Sequence, residues 1–298
     1  MSEALAEDGQ GLLLPEPDFD VSYATRNRRA YLRLGLGDKE VVSTRTHHVG
    51  SKDPFLSWWR SFLTSRRIED AAEMKPVRIL DLFSSVGGLT LGVSEALRAM
   101  GRRAEVIAGV DVDEDALASF QVNHDAGLVI HGSVSDLVDM RVAGRGTAAT
   151  FAYVPEPLKA LANLTKAPDV IVAGPPCQGH STLNNHTRGD DPKNRLYLTV
   201  PALAVALDVP VVIIENVPNV VNDKQGVVSS AHQLLRAAGY HVTAATLAAD
   251  KLGWPQTRKR YFMVATRDSY PIELPWLKAR LARDAAPVEW AIGDLEDT

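Results

Sequence analysis

The sequence contains a single cysteine, Cys177, among its 298 residues. One cysteine excludes an internal disulfide framework and a zinc site built from clustered cysteines, and we predict no metal site. No stretch reaches about 18 uninterrupted apolar residues, the length that a membrane span needs. The first residues are acidic and lack the pattern of a secretory signal. These absences lead us to expect a soluble, cytoplasmic protein without a membrane partner.

An excess of positive charge is also missing. The sequence has 32 Lys and Arg against 37 Asp and Glu, which gives a formal net charge of −5. This balance excludes a globally basic nucleic-acid-binding protein but allows a local basic surface. The hydrophobic share of 45% and the charged share of 23% are typical of ordinary globular domains. At roughly 150 residues per domain, the length predicts one large domain or two small ones.

The chain has no internal repeat, but its first 75 residues differ in composition from the rest. Residues 1–20 are acidic and rich in Gly and Pro, which predicts a flexible tail. Residues 21–75 form a basic, aromatic-rich extension, with ten basic and three acidic residues between positions 21 and 67. One interpretation is a helical arm whose Trp and Phe side chains pack on the main domain while its arginines stay solvated. The other, compatible with the first, is direct contact with nucleic-acid phosphates and bases. The aromatic residues concerned are Tyr23, Tyr31, Phe55, Trp58, Trp59 and Phe62.

Strand-like and helix-like segments alternate from residue 77 onward. Short apolar runs predict buried strands at residues 77–83, 105–110, 170–173 and 211–214. Amphipathic stretches predict helices at 89–100, 114–124, 196–207 and 229–238. Residues 240–247 and 260–266 follow as a strand pair, which we expect to be antiparallel at a sheet edge. The alternation predicts an α/β fold with a doubly wound, mostly parallel sheet.

The first predicted strand runs into the sequence DLFSSVGGL at residues 81–89. Gly87 and Gly88 supply a tight turn at a helix N-terminus, where backbone amides can approach a ligand. Asp111 ends the next strand, where an acidic residue binds ribose hydroxyls in doubly wound folds. The fingerprint G-x-G-x-x-G is absent because Ser85 and Val86 replace its earlier glycines, which favours an adenosyl-type cofactor over a pyrophosphate. The alternative is that the glycines only turn the chain and Asp111 caps a helix.

Polar groups follow the next two strands at the same predicted edge of the sheet. AGPPCQGHS places Cys177 on a loop stiffened by two prolines, and VVIIENV ends in Glu215 and Asn216. The period of a strand puts Arg258 and Arg260 on one face together with Gln256. Two guanidinium groups suit a phosphate or a carbonyl oxygen. The alternatives are a bracing role for Glu215 and a solvated edge strand for the arginines.

Taken in order, these segments resemble the DNA cytosine-5 methyltransferase family. The matching runs are DLFSSVGG, VDVDEDALASFQVNH, GPPCQGHS, DDPKNRLY, IENV and QTRKR, and they place a methyltransferase catalytic domain at about residues 76–270. The resemblance implies a Rossmann-like fold and a flipped cytosine in DNA as substrate. It implies that Cys177 bonds to C6 of the base and that Glu215 binds or protonates N3. Arg260 would hold the base carbonyl, and Arg258 would brace the base or its phosphate.

The resemblance also implies S-adenosyl-L-methionine as cofactor. Two positions depart from the family pattern: Ser85 replaces a glycine, and Ser133 replaces an aspartate, for which Asp136 is the alternative. A third departure, His180 in place of a phenylalanine, leaves the catalytic set intact. The implied cofactor-binding residues are Phe83, Ser85, Gly87, Gly88, Leu89, Asp111, Val112, Ser133, Val134, Pro176 and Leu196.

The resemblance carries an expectation about target recognition. Only 32 residues follow Thr266, fewer than the family's recognition domain and closing helix need, so residues 271–298 are interpreted as the start of a truncated or split recognition region. We therefore expect a second protein chain, or the basic extension, to supply recognition. The DNA substrate implies association with the nucleoid. The alternatives are a non-catalytic scaffold or activator subunit and an RNA (tRNA) cytosine-5 methyltransferase; a role in restriction–modification, phage defence or regulation stays open.

Overall fold

A computed structural model describes residues 19–27, 29–36, 39–47, 52–64, 76–176, 196–269 and 271–293. The chain divides into two compact units, Met1–Arg67 and Ile68–Thr298. Of the predicted acidic tail, residues 1–18 lie outside the described residues, and Phe19 and Asp20 belong to the first strand.

The N-terminal unit is a three-stranded antiparallel sheet with one helix. Its strands are β1 (Phe19–Arg26), β2 (Arg29–Leu36) and β3 (Lys39–His47), paired in the order β1-β2-β3, and its helix is α1 (Pro54–Thr64). Asn27, with φ of 50°, occupies the turn between β1 and β2. Asparagine tolerates this left-handed conformation better than most residues do.

The helix α1 covers one face of this sheet with aromatic side chains. Trp58 and Phe62 are buried and stacked, with ring centroids 4.6 Å apart. Tyr23 of β1 packs edge-on against Phe55 at 5.1 Å and accepts a hydrogen bond from Trp59 Nε1 at 3.2 Å. The prediction of a helical arm was therefore wrong, because three strands precede the helix and the aromatic residues build this unit's own core.

The C-terminal unit contains the predicted α/β sheet. Its longer strands are β4 (Pro76–Leu82), β5 (Arg103–Asp111), β6 (Val129–His131), β11 (Val170–Ala173), β12 (Val211–Asn216), β13 (His241–Ala248) and β14 (Lys259–Thr266). Four strands of two residues each, β7 (Val138–Asp139), β8 (Val142–Ala143), β9 (Thr150–Phe151) and β10 (Glu156–Pro157), pair as β7 with β10 and β8 with β9. The helices are α2 (Gly88–Ala99), α3 (Glu114–His124), α4 (Thr199–Ala206), α5 (Val227–Ala237), α6 (Leu274–Arg280) and α7 (Val288–Ile292).

The seven longer strands form one sheet in the order β13-β14-β12-β11-β4-β5-β6. The strands from β12 to β6 in this order are parallel, and β14 pairs antiparallel with both β12 and β13. From β4 the chain continues to β5 and β6 on one side of the sheet, and from β11 it continues to β12 on the other side. The direction of strand order therefore reverses between the neighbours β4 and β11. Such a switch point opens a crevice at the carboxyl ends of the strands.

Helices cover both faces of the sheet. Val172 packs in one cluster with Leu97 of α2, whereas its neighbour Ile171 packs in another with Leu203 of α4. Successive residues of a strand point to opposite faces, so this division confirms the doubly wound arrangement. All four predicted strands and all four predicted helices are present, as is the antiparallel pair, in which β13 forms the edge.

The last described part of the chain, after β14, contains α6 and α7. Its assignment to the start of a recognition region stays a prediction. Within the described ranges, no helix combines the length and apolar character that crossing a membrane requires.

Candidate active site

A cleft of about 550 Å³ opens at the carboxyl edge of the sheet, beside the switch point. Three kinds of residue line it: the turn after β4, polar side chains from β12 and β14, and an apolar wall. The lining residues are Asp81, Phe83, Ser84, Ser85, Gly88, Leu89, Gly174, Glu215, Leu247, Ala249, Leu252, Trp254, Arg258, Arg260 and Phe262. Four predicted cofactor residues and three predicted catalytic residues therefore share one cavity.

The turn after β4 has an unusual backbone. Phe83, Ser85 and Gly87 have φ angles of 59°, 46° and 88°, in the left-handed region. A Cβ atom at Gly87 would lie 2.0 Å from Nε2 of His124, so only glycine fits there. Nothing lies within 4 Å of a Cβ built on Gly88, the first residue of α2. The turn thus leaves open space in front of a helix N-terminus.

Asp111, at the end of β5, fixes this turn. Its Oδ2 accepts a hydrogen bond from the backbone N–H of Ser85 at 2.8 Å, and its Oδ1 accepts one from Asp113 N at 3.0 Å. The carboxylate therefore lies at the turn, and its ribose-binding role stays a prediction. A helix-capping role alone does not describe it, because the side chain that caps α3 belongs to Asp113.

Two polar residues of the cleft, Asp81 and Ser84, were not among the predicted site residues. Asp81 is 1% exposed and accepts a hydrogen bond from Thr90 Oγ1 at 2.6 Å. The pKa of Asp81 is raised to about 7, chiefly by burial; the Thr90 hydrogen bond lowers it, and the charge of Asp111 raises it. Ser84 Oγ is buried without a hydrogen-bond partner among the described residues. Both residues could have been found from the sequence DLFSS, which places an aspartate and two serines at the end of an apolar strand.

The polar end of the cleft is a carboxylate between two guanidinium groups. Arg260 Nε lies 2.7 Å from Oε1 of Glu215, and Arg258 Nη2 lies 3.7 Å from the same oxygen. Glu215 pairs with Phe262 across β12 and β14, so the register of this antiparallel pair brings the groups together. The side chain of Glu215 therefore reaches the cleft together with both arginines, and its catalytic role stays a prediction.

Asn216 connects this carboxylate to the loop that carries the cysteine. Its Nδ2 donates a hydrogen bond to the carbonyl oxygen of Pro175 at 3.0 Å, and its Oδ1 accepts one from Val217 N at 2.8 Å. The buried Asn216 therefore fixes the backbone two residues before Cys177. Cys177 itself and His180 lie outside the described residues.

The remaining predicted cofactor residues do not line the cleft. Val112 is 67% exposed beyond β5, and Ser133 accepts a hydrogen bond from Ser135 N at the start of a short 3-10 turn. Val134 is 2% exposed and belongs to the hydrophobic core. Ser133 and Asp136 both stay candidates for contact with the adenine. The cofactor roles of these residues stay predictions, as do those of Pro176 and Leu196.

The apolar wall of the cleft was also not predicted from the sequence. Leu247 and Phe262 come from the neighbouring strands β13 and β14, and Leu252 and Trp254 come from the connection between them. Trp254 also packs edge-on against Trp290, with centroids 5.9 Å apart. The available signal was the sequence GWPQT directly before Arg258, because it places a tryptophan four residues before the first of the two arginines.

The fold and the cleft define an α/β protein in which a glycine turn lies beside a carboxylate and two arginines. The family model for C-5 cytosine-specific DNA methylase matches residues 77–298. Type II methyltransferase M1.BsuMI of Bacillus subtilis (strain 168) is 34% identical over 220 residues, which are 74% of this chain and 49% of that protein. Type II methyltransferase M.AgeI of Thalassovita gelatinovora is 29% identical over 203 residues, 67% of this chain and 42% of that protein. The chain belongs to the C-5 cytosine-specific DNA methylase family.

The Dnmt2 methyltransferase of S. pombe, a solved structure, is 19% identical over 70% of this chain and 55% of that chain, with a TM-score of 0.49. The chain spans about half the length of M1.BsuMI. The family uses S-adenosyl-L-methionine as its methyl donor.

Proposed function

We propose that this chain transfers a methyl group from S-adenosyl-L-methionine to carbon 5 of cytosine in DNA. The observation that carries the proposal is the shared cleft, in which the glycine turn and the Glu215–Arg258–Arg260 group lie together. The family and the names of the type II methyltransferase relatives support DNA as the substrate.

The residues of the cleft fit the cofactor. The open space at Gly88, the helix N-terminus behind it and the unpartnered Ser84 hydroxyl provide polar contacts for the amino-acid part. In this proposal, Asp111, which holds the turn beside the cleft, binds ribose hydroxyls, and the side chains of Phe83 and Leu89 offer apolar contact. When bound there, the cofactor supplies an electrophilic methyl group on a sulfonium sulfur.

The reaction needs a nucleophile because C5 of cytosine is too weakly nucleophilic to attack a methyl group unaided. In the proposed mechanism, the thiolate of Cys177 adds to C6, and the electrons of the C5–C6 double bond shift through C4 to N3, which takes the proton that Glu215 holds. C5 becomes the nucleophilic end of the resulting enamine. C5 would then bond to the methyl group that a bound cofactor supplies, as the methyl–sulfur bond breaks and its electron pair stays on sulfur. Loss of the C5 proton to solvent restores the C5–C6 double bond as the C6–S bond breaks and releases the thiolate, and N3 returns its proton to Glu215.

Glu215 and the arginines act on the base rather than on the methyl group. Oε1 of Glu215 faces both guanidinium groups, while Oε2 has no hydrogen-bond donor in the described part of the chain. This second oxygen is available to hold a proton at N3, which makes C6 more electrophilic. Arg260 binds the carbonyl oxygen at position 2, and Arg258 binds the base or its phosphate. The base reaches the cleft after leaving the duplex stack, at a cost of a few kcal/mol.

A transfer assay with methyl-labelled cofactor tests the proposal. The purified chain, and the same chain captured from its native cells with any bound partners, are incubated with duplex DNA and, separately, with tRNA. We expect label in DNA, recovered after digestion as 5-methylcytosine. Label in tRNA alone would establish the RNA alternative, and no transfer in either sample would support the scaffold alternative; both outcomes contradict the proposal.

The requirement for a second chain stays a prediction, and the same assay tests it. Transfer by the captured sample and not by the purified chain supports it. Efficient, sequence-specific transfer by the purified chain contradicts it.

A further inference from the structure

The N-terminal sheet has a second face, turned away from α1, that the candidate active site does not include. In β2, Ala30 and Leu32 are buried, and the residues that alternate with them point the other way. Residues opposite each other in an antiparallel pair share a face, and Arg26 lies opposite Arg29. We call this surface the outer face; its members on β1 and β2 are Asp20, Ser22, Ala24, Arg26, Arg29, Tyr31, Arg33 and Gly35.

The outer face is rich in positive charge. Arg26, Arg29 and Arg33 are exposed, and Asp20 is the one carboxylate among the outer-face members on β1 and β2. In the described ranges, no carboxylate lies within ion-pair distance of Arg26 or Arg29. In the third strand, Arg45 lies opposite Tyr31 in the register.

The aromatic residues of this unit are mostly on the other side of the sheet. Tyr23, Phe55 and Trp58 pack against each other between β1 and α1. Tyr31 is the one aromatic side chain on the outer face among the described residues. Surfaces that bind single strands use several aromatic side chains, on which successive bases stack. A basic face with one tyrosine fits a phosphate backbone better than a row of unstacked bases.

We propose that the outer face binds the phosphate backbone of duplex DNA, through Arg26, Arg29 and Arg33. This inference deepens the proposed function, because it rests on duplex DNA being the substrate of the other unit. Duplex DNA carries one negative charge per about 1.7 Å of its axis, so a flat basic face about 13 Å long, from Arg29 to Arg33, meets several phosphates. Contacts to phosphates position a protein on DNA without reading sequence.

Such a face would raise the affinity of the whole chain for DNA. Two binding modules on one chain raise each other's effective concentration, so the second contact forms at little additional cost. The outer face therefore increases the time that the catalytic unit spends on DNA of any sequence.

A salt-dependence measurement tests the inference on the full chain. The affinity for a fluorescent 30-base-pair duplex is measured by anisotropy at several salt concentrations, for the wild type and for the double variant Arg26→Gln/Arg29→Gln. We expect the variant to bind about fivefold to thirtyfold more weakly in low salt and to lose about 1 to 2 units of the salt slope, because two phosphate contacts are removed.

Matched variants separate this surface from general charge effects. Arg102→Gln/Arg103→Gln removes the same charge at the amino-terminal end of β5, on the opposite edge of the sheet from the cleft. We expect this control to change affinity less than twofold, and Arg26→Lys/Arg29→Lys to retain wild-type binding. Equal losses in the test and control variants would overturn the inference, as would a loss with Tyr31→Ala that Arg26→Gln/Arg29→Gln does not show.

The outcome is independent of catalysis. A reduced salt slope in Arg26→Gln/Arg29→Gln without methyl transfer by the wild type would support the outer face and contradict the proposed function. Methyl transfer with an unchanged salt slope would support the proposed function and overturn this inference.

Discussion

The two units use arginine in opposite ways. In the cleft of the C-terminal unit, Arg258 and Arg260 both face the carboxylate of Glu215, which compensates one of their two positive charges within the protein. On the outer face of the N-terminal unit, Arg26 and Arg29 face solvent from a flat sheet. An internal ion pair fixes geometry, which a reaction at one base needs. An uncompensated basic surface attracts any polyanion, which sequence-independent binding needs.

The largest effect on methyl transfer is expected from removing the carboxylate of Glu215, the group that pairs with the arginines of the cleft and has no counterpart among the described residues beside Arg26 and Arg29. Glu215→Gln keeps the shape of the side chain but loses the charge that orients the arginines and the group that acts at N3. We expect kcat/KM for methyl transfer to fall about 10²- to 10⁴-fold, because a positioned acid or base contributes this much. Duplex affinity, measured in parallel, is expected to change little.

The exposed Glu156→Gln on β10 is the control for this variant, and we expect it to retain the wild-type rate. A Glu215→Gln rate within threefold of the wild type would contradict the role given to this carboxylate.

Replacing arginine by lysine in both units sharpens the comparison. A single ammonium cannot reproduce the planar fork of Arg260, so Arg260→Lys is expected to lower kcat/KM about 10- to 100-fold. A phosphate accepts lysine as a point charge, so Arg26→Lys/Arg29→Lys is expected to change duplex affinity less than twofold. Steady-state methylation and anisotropy measure the two effects. If the loss of kcat/KM in Arg260→Lys and the loss of duplex affinity in Arg26→Lys/Arg29→Lys were similar, the two units would not differ in how they use arginine.

A smaller effect, on stability, is expected at Asp81. Because its pKa is raised to about 7 in the folded protein, the folded state keeps a proton that the unfolded state releases near pH 4. Stability is therefore lost as the pH rises from about 4 to 7. Asp81→Asn lacks this penalty, so its free energy of unfolding relative to the wild type is expected to rise by about 2 to 3 kcal/mol between pH 5 and pH 8.

Denaturant unfolding at both pH values measures this difference, with Asp284→Asn as the exposed control. A difference between Asp81→Asn and the wild type that does not change with pH would show that burial does not hold the proton on Asp81.

The sequence predicted the sheet of the C-terminal unit because its signals are local and agree with each other. Residues 170–173 form a wholly buried apolar run, and β11 has the same bounds. The helix α3 also has its predicted bounds, since Asp113 caps its start and Asp125, with φ of 47°, ends it. Strands β7 to β10 were missed because two-residue strands have no period to detect.

The N-terminal unit was harder to predict because buried residues and basic residues of the outer face alternate within the same short segments. In β2, Arg29, Tyr31 and Arg33 alternate with the buried Ala30 and Leu32, but this alternation is short and the aromatic residues of α1 are the stronger signal in the segment.

In the site, the motifs located Glu215, Arg258 and Arg260, but the partners of Asp81 and Asn216 depend on tertiary contacts. Thr90 reaches Asp81 from α2, and Asn216 bonds to the carbonyl oxygen of Pro175, two residues after the end of β11.

The central claim, a covalent bond between Cys177 and a cytosine in this cleft, is tested most directly by trapping. Duplex DNA containing 5-fluorocytosine is incubated with S-adenosyl-L-methionine and either the purified chain or the chain captured from its native cells. Fluorine at C5 cannot leave as a proton does, so the C6–S bond persists. We predict a denaturant-resistant complex that is absent in Cys177→Ser, the variant without any cysteine. No complex in either sample, or a complex that survives Cys177→Ser, would contradict the claim.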